Sequence, residues 1–418
     1  MTGSRQAHPL GINGLGRIGK LSVWHHAARG HFPGLVVNVG RLVGRDLEAV
    51  CGVIQNDSTY GNMDRFLFGV SAQPSVKIID RDRRILEVAG VPVTVLQEAR
   101  NPSDIDWHHH GVRVVVDTTG AFDDPTYPEG VPGGSLRGHL GAGAEKVIYS
   151  AAFKPHGGVM PPDCVTLING INHDAFDPTR HHVISAASCT TTALAHMVKP
   201  LLESMEASKI MTASMSTVHA VTNSQTVLDA VPGAGAKDLR RTRSVLNSMV
   251  LTSTNAARAL EEVLPEIREI GFMADSVRIP IPTESLIILN VTFQTRLDTN
   301  GNPVINRESL NGIYQATARG AQAGLLVYSD VQNVPRDVTG MRAAVVVEGT
   351  ENHTRTGFVE IDLASLPGIP EDVLAQLGAS AVRVPVTHAK VFGWYDNEYG
   401  SYTNMLADLT VHVAESLL

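Results

Sequence analysis

The sequence predicts an α/β protein in two parts: a doubly wound parallel sheet up to about residue 188, then an α+β part built on a mixed or antiparallel sheet. Three observations carry this expectation. PLGINGLGRIGKLSVWHHAAR reads as strand, glycine turn and helix, with GLVVNVG as the next strand, a βαβ unit. Further strands are expected at RVVVDTTGA (113–121) and KVIYSAA (146–152), with a helix at LRGHLGAGAE between them. Past residue 188 the texture changes: MTASMSTVHAVT (211–222), DSVRIPIP (275–282) and SLIILNVTFQTRL (285–297) are longer and β-rich. The expected units are residues 1–188, residues 189–393 with an inserted excursion at 364–384, and a C-terminal helix in 394–418 that returns to the first unit. No repeat, low-complexity run or linker interrupts them.

Composition bounds the class. With 418 residues, 43% hydrophobic and 18% charged, the chain suits folded, core-forming domains, two being the natural prior. A net charge of −8 argues against a nucleic-acid partner. Cys51, Cys164 and Cys189 cannot make a disulfide framework, and MTGSRQAHPLGINGLG lacks a basic-then-apolar export signal, so a reducing, cytoplasmic setting is expected. No apolar run nears the roughly 20 residues that span a bilayer, so no membrane partner is expected. WHHHG at 107–111 holds three adjacent histidines that cannot all point one way in a strand or helix; it reads as loop, and no metal is assigned.

In GINGLGRIG, Gly14, Gly16 and Gly19 have the GxGxxG spacing of a Rossmann-type dinucleotide fold. The spacing serves a tight turn, a bare backbone that pyrophosphate can approach, and a helix N-terminus that offers amides and a positive dipole. A strand before it and a helix after it are the confirming context. NAD-preferring folds usually place an acid at the end of the second strand; here VVNVGR supplies Asn38, Val39, Gly40 and Arg41. No carboxylate repels a 2′-phosphate there and Arg41 is able to pair with one, so both features point toward NADP, although most lone arginines are simply solvated.

SAASCTTTALAH (185–196) sets Cys189 at the first turn of a helix whose apolar positions are Leu194, Met197, Val198 and Leu201. The helix dipole would favour a thiolate there, and His219 in MSTVHAVTNSQ is a candidate base. Taken singly, a free cysteine is more often inert core and a lone histidine a hydrogen-bonded filler. Beside a dinucleotide fold, the two together read as a nucleophile and its base. KDLRRTRSVLNS, with Lys237, Arg240, Arg241 and Arg243, and Arg278 in SVRIPIP, suit phosphate, with hydroxyls of Ser188, Thr190, Thr222 and Thr254 to complete the sites. Arg240 and Arg243 read instead as a solvated loop or a subunit contact.

GINGLGRIG, SAASCTTTALAH, STVHAVTNSQ, KDLRRTR, LTSTNAARALEEVLPE, VRIPIP and WYDNEYG stand in the order and near the spacing of the glyceraldehyde-3-phosphate dehydrogenase family, which nearly the whole chain resembles. The resemblance implies a homotetramer of glycolysis or gluconeogenesis that oxidises D-glyceraldehyde 3-phosphate to 1,3-bisphosphoglycerate. In it Cys189 attacks the aldehyde, His219 assists proton transfer, hydride passes to NAD or NADP, and inorganic phosphate cleaves the thioester. It implies Asn13, Gly14, Gly16, Arg17 and Ile18 at the pyrophosphate turn, Thr118, Thr119, Gly120, Phe122 and Ser150 along the cofactor cleft, and Asn397 on the nicotinamide carboxamide. Ser188, Thr190, Thr254, Asn255 and Arg241 correspond to the inorganic-phosphate site, and Thr222 and Arg278 to the site of the substrate's own phosphate.

The departures from that family are local. NASCTTNC becomes AASCTTTA, so Ala186, Thr192 and Ala193 replace two asparagines and a second cysteine. STG becomes STN, where Asn255 crowds a backbone donor that a glycine would leave open. The acid after TN becomes Ser224, and EYGSYTN carries one residue more than the usual EWGYSN. Two other readings stand beside the leading one: an enzyme of erythrose 4-phosphate in which water resolves the thioester, and a non-catalytic binding protein of the family.

Overall fold

Strand Leu10–Asn13, buried at all four residues, lies between Leu35–Asn38 and Val114–Asp117 and runs parallel to both. An apolar run with no polar alternation is what a strand covered on both faces requires. The computed structural model describes residues 6–204, 209–223, 225–367, 370, 372–373, 376 and 380–417. Its first sheet has nine strands. From one edge they are Cys164–Thr166, Val183–Ser185, Lys146–Tyr149, Val114–Asp117, Leu10–Asn13, Leu35–Asn38 and Val91–Leu96, all parallel to their neighbours, then Ile85–Val88 and Val76–Asp80 added antiparallel. Strand order reverses at Leu10–Asn13, so the crevice outside its carboxyl end is the natural ligand position of such a sheet. The protein is therefore α/β, with a doubly wound first sheet.

Local chemistry sets the element ends. The strands expected at 113–121 and 146–152 form as Val114–Asp117 and Lys146–Tyr149, and of the residues that follow them Gly120, Ala151 and Ala152 line a cleft. The helix expected at LRGHLGAGAE forms only as Leu136–Gly141, and Gly143, at φ 105, adopts a backbone that ends it. Residues 107–111 are turn, as their composition predicts.

The second sheet has eight strands and holds the long β-rich segments. Lys209–His219 lies between Gly271–Arg278, parallel, and Ser285–Gln294, antiparallel; Ser285–Gln294 pairs in turn with Ala381–Tyr395. Helix Cys189–Ser204 is buried at Leu194, Met197, Val198 and Leu201 and shares an apolar cluster with Met215, Leu289 and Val391 of this sheet. Of the excursion expected at 364–384, residues 381–384 belong to strand Ala381–Tyr395, which pairs antiparallel with His353–Asp362, and 368–369, 371, 374–375 and 377–379 lie outside the described residues. The last helix, Asn404–Glu415, buries Leu406, Leu409 and Val413 in one cluster with Leu10 and Trp24 of the first sheet's unit.

Candidate active site

Cys189 opens its helix from a strained turn. Ala187 sits at φ 54, an uncommon conformation for a side-chain-bearing residue, and Ser188 caps the helix by accepting the Thr191 N–H at 3.2 Å. The strand Lys209–His219 ends beside it, which brings Nε2 of His219 to 3.7 Å from Sγ of Cys189. Asn397, from the stretch after Ala381–Tyr395, faces both: its amide nitrogen is 3.7 Å from Sγ and 3.2 Å from Nε2. Nδ1 of His219 meets the Ala220 carbonyl at 2.7 Å, and the Arg278 guanidinium abuts the same edge of the ring.

Electrostatics leave the pair neutral in this state. Burial pushes the Cys189 thiol up, opposed by the Asn397 hydrogen bond and the Arg278 charge. Burial first, and then the charge of Arg278, push His219 down to about 3. The helix position alone therefore does not make the thiolate that the sequence suggests, because burial outweighs it.

One cleft of ≈ 340 Å³ joins these groups to the phosphate candidates. Ser188, Thr190, Thr222, Thr254, Asn255 and Arg278 all line it. Thr190 is turned inward, its hydroxyl 2.8 Å from that of Tyr395, which also reaches Thr217 at 2.9 Å. Arg241 is about half-exposed, 4.0 Å from Asp238, and its charge acts on Arg278 of the cleft wall. Lys237, Arg240 and Arg243 are exposed, the two arginines on Asp238 and Asp229. Ser224 lies outside the described residues.

The glycine turn divides its labour as its spacing predicts. Gly14 has φ 98, and a Cβ there would sit 2.9 Å from the Thr118 hydroxyl. At Gly19 it would lie 2.1 Å from the Gly14 carbonyl, so this glycine packs helix against turn. At Gly16 nothing lies within 4 Å: the space is open, and helix Arg17–Arg29 begins there with no side-chain cap on its amides. Open backbone and uncapped amides fit a dinucleotide pyrophosphate.

Other cofactor candidates are engaged with the protein itself. Asn13 donates to Asp117 at 2.8 Å and accepts from Asn38 at 2.8 Å. Asn38, 1% exposed, also donates to the Ala99 carbonyl at 3.0 Å. Arg17 forks onto Glu398 and Asp57, and Ile18 packs on the apolar cluster. Thr118 binds the Asn13 carbonyl, Thr119 binds Asp117, and the Ser150 N–H donates to the Asp117 carbonyl. Phe122 packs near Gly134, while Gly120 lines the cleft. Arg41 is exposed just past Gly40, which has φ 66 and whose carbonyl accepts from Nε of Arg100 at 3.2 Å.

Sequence reasoning missed Ser285, Tyr395, and the buried chain Trp107–His139–Asp117, in which Trp107 donates to Nδ1 of His139 at 2.9 Å and Nε2 lies 3.0 Å from Asp117. Only Tyr395 carried a signal, its place in WYDNEYG. The extra residue in EYGSYTN also finds its place. Tyr399–Thr403 forms a π-helical turn, Thr403 N–H bonding the Glu398 carbonyl at 2.7 Å, and the Tyr399 carbonyl also meets Nε2 of His25 at 2.9 Å.

Comparisons with known proteins agree across both sheets. The family description "Glyceraldehyde 3-phosphate dehydrogenase, NAD binding domain" matches residues 8–125, and that of the same family's C-terminal domain matches residues 188–362. Among similar proteins, glyceraldehyde-3-phosphate dehydrogenase 1 of Streptomyces avermitilis is 33% identical over 98% of this chain and 99% of its own. The glyceraldehyde-3-phosphate dehydrogenases of Streptomyces coelicolor (98% of this chain, 99% of its own) and Geobacillus stearothermophilus (97% and 98%) are each 32% identical.

Proposed function

The chain belongs to the glyceraldehyde 3-phosphate dehydrogenase family, NAD(P)-dependent oxidoreductases that act on an aldehyde, and from that premise we propose that it is the phosphorylating type, acting on D-glyceraldehyde 3-phosphate. One observation carries the reading: Sγ of Cys189 faces Nε2 of His219 at 3.7 Å in the cleft that Arg278 and the hydroxyls of Ser188, Thr222 and Thr254 line. His219 takes the thiol proton, and the sulfur adds to the aldehyde carbon. In that addition the carbonyl oxygen takes the proton back from Nε2 of His219, and it returns the proton to the same nitrogen as the thioester forms. The nicotinamide, when bound, accepts the hydride that leaves that carbon. Inorganic phosphate then displaces the sulfur and releases an acyl phosphate. A substrate phosphate on Arg278 offsets the charge that holds His219 deprotonated, so substrate binding itself strengthens the base.

Asn255, in place of the family's glycine, lines the same cleft beside Thr254 and supports a second reading, in which water resolves the thioester and the substrate is erythrose 4-phosphate. Steady-state turnover with and without inorganic phosphate separates the two. Cys189→Ala should abolish aldehyde-dependent reduction of the cofactor with either substrate while the cofactor still binds; retained turnover would end the covalent mechanism.

NADP is the cofactor we favour, supported by the absent acid after Asn38 and by exposed Arg41 and Arg45 at that turn. A homotetramer is supported by apolar side chains bare in the single chain: Val231 is 92% exposed, Met249 76%, Leu228 71% and Met273 70%. A reducing, cytoplasmic setting is supported by Cys51, Cys164 and Cys189, all free. No helix among the described residues is long and apolar enough to cross a membrane.

A further inference from the structure

A closed chain of hydrogen bonds begins and ends on Ala220. Its N–H donates to Oγ of Ser285 at 3.0 Å, and Ser285 meets Oδ1 of Asn397 at 2.8 Å. Ser285 accepts from Ala220 and gives its single proton to Oδ1 of Asn397; the Tyr395 hydroxyl, which it also reaches, is held by Thr190 and Thr217. The Asn397 oxygen is thereby engaged, and its nitrogen must be the atom facing Cys189 and His219. Opposite an N–H donor, Nε2 of His219 presents its lone pair. The ring proton is then left to Nδ1, which faces the Ala220 carbonyl at 2.7 Å; the Arg278 guanidinium abuts the same nitrogen and itself donates to that carbonyl at 3.2 Å, so it is the Asn397 amide that sets the tautomer. The same lone pair faces the thiol. All three side chains are at least nine-tenths buried: Ser285 is 1% exposed, His219 3% and Asn397 8%.

We propose that Ser285 is a positioning residue of the reaction: its hydroxyl takes the carbonyl oxygen of Asn397 and so turns the amide nitrogen onto the sulfur of Cys189 and the base nitrogen of His219. When His219 takes the thiol proton, Nε2 no longer accepts from Asn397, and the amide donates to the new thiolate instead. Without the Ser285 hydroxyl the amide is free to rotate by half a turn, and its oxygen then confronts the sulfur and repels the thiolate. The other titratable groups acting on Cys189 are His219, Arg278, Tyr395 and Tyr402, and a change at Ser285 retains all four.

The inference rests on Cys189 as the nucleophile, and its test separates the two claims. Alkylation of Cys189 by iodoacetamide is followed from pH 5 to 10 in the full-length, cofactor-free protein, beside aldehyde-dependent cofactor reduction. Ser285→Ala should alkylate roughly tenfold more slowly at pH 7, the size of one lost hydrogen bond to a charged group, with its midpoint moved to higher pH. Ser285→Thr should restore the parent profile. Ser285→Ala added to Asn397→Ala should change nothing further, because the hydroxyl acts through that amide. Should Ser285→Ala fail to fold, Ser285→Cys, a poorer donor of similar size, takes its place. Parent and variant profiles that superimpose, in proteins whose turnover needs Cys189, overturn the positioning role alone; turnover that survives Cys189→Ala overturns the nucleophile and this inference with it.

Discussion

Glu284 is 1% exposed and sits at φ 71, with the Thr339 hydroxyl close to its carboxyl but no charged partner among the described residues. Burial, with the charge of Asp396 next, pushes its carboxyl up to about 9 from an ordinary 4.5. The folded chain holds this proton while the unfolded chain releases it. Stability is therefore full below the ordinary carboxylate range, falls as pH rises through it, and stops falling near 9. By pH 7 the loss is roughly 3 kcal/mol. Glu284→Gln, neutral throughout, should melt several degrees above the parent at pH 8 and nearly with it at pH 5; parallel melting curves across that range would refute the protonated acid. Arg41 poses the matching question for the cofactor. Arg41→Ala should raise the Michaelis constant for NADP roughly tenfold and leave that for NAD nearly unchanged, as expected for one charge-assisted contact to a 2′-phosphate. Equal losses with both cofactors, or a strong NAD preference in the parent, would assign the ribose to backbone contacts.

Two glycines three residues apart separate folding from binding at the scale of an element. Gly19→Ala drives a Cβ to 2.1 Å from the Gly14 carbonyl and should cost about 1–3 kcal/mol of stability. Gly16→Ala meets nothing within 4 Å and should leave Tm unchanged, yet it occupies the approach to the uncapped amides of Arg17–Arg29 and should weaken dinucleotide binding roughly tenfold or more. Calorimetric melting and titration with the cofactor check the pair; equal melting losses would remove the distinction. The π-turn Tyr399–Thr403 shows another element absorbing a local change. The wide turn sets the Tyr399 carbonyl beside His25, which burial first and then the charge of Arg29 keep neutral and whose Nε2 meets it at 2.9 Å.

At the scale of the whole molecule, apolar exposure concentrates on residues 227–251 and on Met273. Val231 and Met249, bare in one chain, are surfaces that a second copy would cover. Sedimentation should therefore give four times the mass of the chain, and Val231→Lys with Met249→Lys should lower it. A parent that sediments as a monomer at micromolar concentration would refute the tetramer.

The sequence by itself determined the two sheets, the glycine turn, the helix behind Cys189 and the strand that ends at His219, because apolar periodicity and turn residues record local geometry. It also singled out Cys189, His219, Ser188, Thr190, Thr222, Thr254, Asn255 and Arg278, which the fold gathers into one cleft. What it left unread is which partner each polar side chain takes. Asn13 and Asn38 bind each other, and Arg17 binds Glu398, 381 residues away. Arg241, named by its motif, is about half-exposed near Asp238, while Tyr395 of WYDNEYG and Ser285, which no motif marks, hold Thr190 and Asn397 at the cleft. A buried polar group must find a partner wherever the folded chain brings one, and a one-dimensional pattern records periodicity along the chain but not the meeting of residues hundreds of positions apart. That pairing was decided only by the tertiary structure.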